Sequence, residues 1–225
     1  MMNENKSLCI LTLRVFFSLL IVAALLFLSA GTFDFSAAWV FLVAVSCIGL
    51  LFALWLYIRN PLQFQNRLHP TEPDKVQQRL VLMIGVTLCL SLIVSGLDKR
   101  FGWSHISDWR YLVAGVLACG AALIYHNVFK CNPYLSNTVE IHENHKVIDQ
   151  GMYGVVRHPM YLATCMTCAA GMVMLGSLAT VPMYVIFFCL MLIRAKREET
   201  QLVEALPEYR SYMEKVKHRI IPYAL

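Results

Sequence analysis

The chain has 225 residues, of which 58% are hydrophobic and only 15% charged, with a mean hydropathy of +0.59. A soluble domain carries roughly 25% charged residues, so an ordinary soluble fold is excluded and one membrane-embedded helical unit is expected. The formal charge of +5 reads as Lys and Arg gathered on one side of a membrane, with no nucleic-acid partner.

A spanning helix needs about 20 apolar residues to cross a hydrocarbon core of about 30 Å. Residues 8–30, 37–58, 80–97 and 110–129 meet that length. The first resembles a signal peptide, but its apolar run is long for one, and it is expected to stay as a span. Two shorter runs, 160–176 and 180–194, are separated by Gly176-Ser177 and predict a helical hairpin, so five or six membrane segments are expected. The chain divides into 1–129, four spans with a polar loop over 59–79, and 130–225, the hairpin with its flanks. Residues 194–225 begin as a charged amphipathic helix, break at Pro207 and resume with Tyr209, Tyr212, Met213 and Val216 at helical spacing, as a lid on the membrane surface.

With a cytoplasmic N-terminus, Lys6, the 59–79 loop, Lys130, Lys146, Arg157 and seven basic residues from Arg194 to Arg219 fall on one side. The other side holds only Lys99, Arg100 and Arg110. Both termini are therefore expected inside, in a cell inner membrane. The eight cysteines fall mostly within apolar runs and read as packing residues, the Cys165-x-x-Cys168 pair included. Gly115–Gly120 and Gly171–Gly176 are expected to permit close helix packing. His142 and His145 lack further ligands and read as a solvated loop, so no metal is expected. No Gly-x-Gly-x-x-Gly follows a strand.

The chemistry concentrates in Gly151-Met-Tyr-Gly-Val-Val-Arg-His-Pro-Met-Tyr161, followed by Arg194 and Glu198-Glu199. Gly151 and Gly154 permit a tight turn. Pro159 suits the first turn of a helix, which makes His158 the capping position and sets Arg157 beside a helix N-terminus, an anion site by its free N–H groups and dipole. Together these residues suit a zwitterionic, amino-acid-like ligand, with Arg157 and His158 for its carboxylate and a glutamate for its ammonium. Two plainer readings stay open: Arg157 facing lipid headgroups, and an Arg194–Glu198 pair along one helix face. His126 and Asn127, polar at membrane depth, are candidates for substrate contact or interhelical hydrogen bonding. Arg67 and His69 could reach the site from the first polar loop.

Gly151, Tyr153, Arg157, His158, Pro159 and Tyr161, then Arg194, Glu198, Glu199 and Leu202, form a pattern that resembles the isoprenylcysteine carboxyl methyltransferase family and, more distantly, membrane phospholipid N-methyltransferases. The resemblance is strongest over 130–225, with echoes at Asn60-Pro61, Leu97-Asp98, Arg100-Phe101, Trp103-Ser104 and Asn132-Pro133. It implies S-adenosyl-L-methionine as methyl donor, held by Gly151, Tyr153, Arg157, His158, Pro159, Tyr161, Glu198 and Glu199, with Arg194 near the acceptor carboxylate. A lipid or prenylated acceptor is implied. Met152 replaces the family's usual Pro, and Leu206-Pro207-Glu208-Tyr209 resembles bacterial-type members. These departures bear on the prenylcysteine substrate more than on the donor. A phospholipid or small-amine N-methyltransferase, or a non-catalytic membrane protein of the same architecture, are the alternatives.

Overall fold

The computed structural model describes residues 4–59, 74–132 and 147–223. Arg67, His69, His142, His145, Asn60-Pro61 and Pro133 lie outside the described residues. Every regular element among the described residues is helical: α1 Glu4–Ala30, α2 Ser36–Arg59, α3 Lys75–Phe101, α4 Trp109–Cys131, α5 Pro159–Leu175, α6 Val181–Ala205 and α7 Tyr209–Lys215, with 3-10 turns at Gly151–Gly154 and Leu178–Thr180. Five stretches are long and apolar enough to cross a membrane: Thr12–Ala30, Ser36–Arg59, Lys75–Phe101, Trp109–Cys131 and Leu178–Ala205. With 17 residues, α5 is only about 25 Å long, short of the roughly 30 Å hydrocarbon core. Leu51, Leu82, Leu112, Val116 and Leu123 stay exposed, as outward faces in contact with lipid require. The protein is an all-helical, multi-pass integral membrane protein.

Two boundaries differ from those the sequence suggests. Asp74 caps α3 by accepting the Val76 N–H at 2.8 Å, so the helix already includes residues 75–79 of the expected 59–79 loop. The cap side chain outweighs the polarity of that first turn, in which Lys75, Gln78 and Arg79 remain exposed while Gln77 is buried. Beyond residue 194, α6 runs on as one helix to Ala205 and stops just before Pro207, where the residue preceding proline is driven out of helical conformation. Its charged last turns are a continuation of the membrane helix, so the backbone carbonyls near Glu198 remain paired within it.

In the bundle α1 packs along α3 and also meets α2, α4 lies along α5, and α3 lies along α6. Gly96 lets α1 and α3 approach closely, since a Cβ there would stand 2.6 Å from the Leu26 carbonyl and overlap the Ser29 side chain. Gly120 meets Met166 and Gly171 meets Phe41, whereas nothing lies within 4 Å of the Cβ position of Gly115. Close packing at the Gly115–Gly120 pair therefore belongs to Gly120. Cys165 packs with Phe187, Met191, Ala195 and Ile220 in the core between α5 and α6.

A polar clasp holds the end of the bundle opposite the basic one. Asp98, 3% exposed, accepts from the Ser104 N–H and hydroxyl, both at 2.7 Å, and from the Ser177 hydroxyl at 2.5 Å. It thereby joins the end of α3, the connection to α4 and the α5–α6 turn. Gly176 closes α5 in the left-handed conformation (φ 74), and its missing side chain leaves room for the Arg110 guanidinium.

Replacing Gly96 with Leu should force α1 and α3 apart. Overpacking of this kind costs about 1–3 kcal/mol, and the expected result is a lower thermal midpoint in detergent. An unchanged midpoint would show that the α1–α3 seam is not tightly packed.

Candidate functional site

At the basic end, the Gly151–Gly154 turn is fastened to the last turns of α4. Asn127 Oδ1 accepts the Met152 N–H at 2.8 Å, and Asn132 donates its side-chain amide to the Tyr153 hydroxyl at 3.0 Å. Gly151 has φ 60, and a Cβ there would stand 2.5 Å from Asn127 Oδ1. Conformation and space both demand glycine. The Tyr212 hydroxyl of α7 donates to the Tyr153 carbonyl at 2.7 Å. Burial, only partly offset by the Asn132 hydrogen bond, pushes the Tyr153 phenol up to about 12, and burial likewise raises Tyr209 and Tyr212. These three hydroxyls stay protonated at neutral pH.

The chain then turns inward. The Arg157 and His158 N–H groups donate to the carbonyls of His218 and Arg219 at 2.9 and 2.8 Å, pairing the turn with the C-terminal segment. His158 occupies the capping position of α5 without a side-chain capping bond. Its ring lies parallel to that of Tyr161, 5.2 Å between centroids. The Arg157 and His158 N–H groups, just ahead of the helix, are thus engaged by residues 218–219, and in its first turn Tyr161 and Leu162 donate to the His158 carbonyl.

The charged core of the site follows. Arg157 Nε donates to Glu199 Oε1 at 2.7 Å, and its Nη1 reaches the Val216 and Lys217 carbonyls, each at 2.8 Å. Glu199 Oε2 accepts from Arg219 Nε at 2.9 Å, and His158 Nε2 lies 3.3 Å from Oε1. The side chains of Arg157 and Glu199 are 6% and 5% exposed. Neighbouring Glu198, turned about 100° around α6, has a 25% exposed side chain; its Oε2 lies 3.6 Å from His158 Nδ1. The Tyr161 hydroxyl donates to Glu198 Oε2 at 2.6 Å. Arg194, one turn earlier on the same face, lies over the Tyr161 ring at 5.6 Å.

The structure therefore gathers Arg157, His158, Pro159, Tyr161, Arg194, Glu198 and Glu199 around one point, with Gly151 and Tyr153 in the adjoining turn. His126 stands apart, exposed and 6.2 Å from the Trp55 ring; its neighbour Asn127 meets the turn instead. Three contributors lie outside the Gly151–Tyr161 and Arg194–Glu199 motif: Arg219, Asn132, one of the weaker echoes, and Tyr212 of the tail. Arg219 sits in a basic tail and reads as one more surface charge. The signal that marks its segment is the apolar Ile220-Ile221 pair after the basic residues; Ile220 is fully buried. Among the described residues no group of three or more His, Cys, Asp or Glu side chains is placed to hold a metal ion.

Fold and site together define a multi-pass membrane protein whose polar centre is built at one bundle end by α4, α5, α6 and the tail. Residues 113–204, from within α4 to near the end of α6, match the isoprenylcysteine carboxyl methyltransferase (ICMT) family. The matched region includes the Gly151–Tyr161 turn, Arg194 and both glutamates, and it indicates a membrane methyltransferase. A search of curated proteins finds no match.

Removing one partner of a buried ion pair costs about 3–5 kcal/mol, because the other charge is stranded, whereas an apolar pair of similar volume is often tolerated. Glu199→Ala and Arg157→Ala should each lower the thermal midpoint sharply, and Arg157→Met combined with Glu199→Leu should be less damaging than either. Additive losses in the double variant would mean that the two side chains are not coupled.

Proposed function

We propose that the protein transfers a methyl group from S-adenosyl-L-methionine to a lipidic acceptor, the carboxylate of an isoprenylcysteine-like molecule. The observation that carries this reading is the placement of opposite charges around Tyr161, within a region that matches a methyltransferase family. Glu198 lies on one side of its hydroxyl and Arg194 over its ring.

The donor is a cation with an ammonium group, and the residues suit it. A partly exposed carboxylate and the stacked faces of His158 and Tyr161 favour positive charge. Glu198, Tyr161 and His158 would hold the donor, with Tyr153 and the Gly151 turn as its wall. When bound, the donor supplies an electrophilic methyl on sulfonium. Arg194 would orient the acceptor carboxylate, which is already ionised at neutral pH and needs no general base. Arg157 and Glu199 would act by position: they join α5, α6 and the tail so that Glu198 and Tyr161 face one another. Orientation and exclusion of water then provide the rate enhancement. Accordingly residues 130–225 form the donor-binding region, and 1–129 supply the membrane helices against which it packs. The Lys/Arg bias supports placing both termini and the site on the cytoplasmic side of a cell inner membrane.

Purified protein should bind S-adenosylhomocysteine, measured as a rise in thermal midpoint. With methyl-labelled donor and a native membrane extract, label should appear in lipid as a base-labile ester. Base-stable label in headgroups would point to N-methyl transfer, and absence of any S-adenosylhomocysteine binding would sink the donor assignment. Tyr161→Phe removes one charge-assisted hydrogen bond to Glu198, worth about 1.5–3 kcal/mol at most. The expected effect is a lower thermal midpoint of the free protein together with about tenfold or more weaker S-adenosylhomocysteine binding.

A further inference from the structure

Gln77 is fully buried, yet among the described residues neither its Nε2 nor its Oε1 has a hydrogen-bond partner. Buried amides are almost always paired, and an orphaned one calls for an explanation. Its place in the fold suggests one. Gln77 lies seven residues before Ile84, on the same helical face, and Ile84 and Leu88 pack against the core of Cys165, Phe187, Met191 and Ala195, as does Tyr161. On its other side, Asp74 accepts from Arg197 Nε at 2.7 Å and from the Gln201 amide at 3.0 Å. Gln77 is therefore held in the α3–α6 seam, between that polar tie and the apolar cluster that includes Tyr161. The Gln201 Oε1 at this end of the seam is also buried without a hydrogen-bond partner among the described residues.

We propose that Gln77 is a binding residue for the adenine base of the methyl donor. The inference rests on the donor reading above and extends the site from α5 and α6 onto α3. A primary amide carries an acceptor and a donor side by side in one plane, and an adenine edge offers an amine and a ring nitrogen in the complementary order. The flat, uncharged base suits the apolar surface that continues along this face of α3, where Leu80 is buried and Ile84 packs against the core. The charged amino-acid head of the donor does not, and it has Glu198 on the polar side of Tyr161. The base reaches the amide where α3 begins, past the Asp74–Arg197 pair. Arg197 is 43% exposed there, and exposed pairs of this kind open readily.

The test uses the full-length protein in detergent and two probes, S-adenosylhomocysteine and 5′-methylthioadenosine, which keeps the base but lacks the amino-acid head. In Gln77→Met, which keeps the volume of the side chain, both should bind about tenfold more weakly, a loss of about 1.4 kcal/mol each. The thermal midpoint of the free variant should equal or exceed that of the parent, because an unpaired buried amide has been removed. Unchanged affinities overturn the proposal. Weaker binding of S-adenosylhomocysteine alone overturns the assignment to the base, since it would place Gln77 at the amino-acid head. A parent protein that binds neither probe refutes the donor reading itself, a failure distinct from that of Gln77.

Discussion

A carboxylate withdrawn from water must be met by enough donors to replace its hydration, and Glu199 is where this protein meets that condition. Arg157, Arg219 and His158 converge on it from the turn before α5 and from the C-terminal segment. Each of those groups would be costly to bury alone. Their mutual need, together with the apolar core of Cys165, Phe187, Met191, Ala195 and Ile220, fixes the relative positions of three chain segments. The geometry of Tyr161 and Glu198 follows, because Tyr161 is set by the turn that Arg157 begins and Glu198 by the helix that Glu199 anchors. Alignment at the candidate site is thus a consequence of charge compensation beside it.

The two ends of the bundle solve different problems with different chemistry. At the Asp98 end, hydroxyls and backbone N–H groups satisfy a single carboxylate, which joins helix ends with no ion-pair partner among the described residues. At the basic end, the partners are guanidinium groups and backbone carbonyls, and the segments joined lie far apart in sequence. Between the ends the helices pack through small residues and apolar side chains. Such surfaces provide cohesion in lipid but little directional information, so register is set by polar contacts, those at the ends and the interhelical hydrogen bonds of Tyr125 with Thr164 and of Tyr184 with the Cys165 carbonyl.

Much of the bundle was legible because each span has to satisfy a length and a composition that no short loop imitates. The end of α6 was not: its last turns are charged, and a hydropathy boundary near Arg194 does not coincide with a backbone boundary. The start of α3 was hidden for the same reason, Lys75 to Arg79 being polar yet capped by Asp74. In the candidate site, Gly151, Arg157, Tyr161 and Glu199 stand out through residue type and spacing. That Arg157 would face Glu199 and two carbonyls depends on where the tail folds back, and nothing in the local sequence says so. Arg219 and Gln77 illustrate the limit from opposite directions: one is a surface-type residue in a basic tail, drawn half-buried onto Glu199, the other a polar residue in a polar run, fully buried, and both positions follow only from tertiary packing.

The separation of Arg157 from its acceptors carries a consequence for biogenesis. Glu199, Val216 and Lys217 follow it by 42, 59 and 60 residues. As the chain is made, Arg157 therefore leaves the ribosome well before Glu199 and the carbonyls that hold it in the folded protein, while the α5–α6 hairpin is being handed to the membrane. In that interval its guanidinium has to remain in water or among headgroups, because hydrocarbon would exact a large penalty. A short α5 with arginine just ahead of it satisfies this requirement: the hairpin can insert without drawing the charge inward. The centre would then mature last, after the tail arrives, so that an immature chain is already membrane-bound but still incomplete.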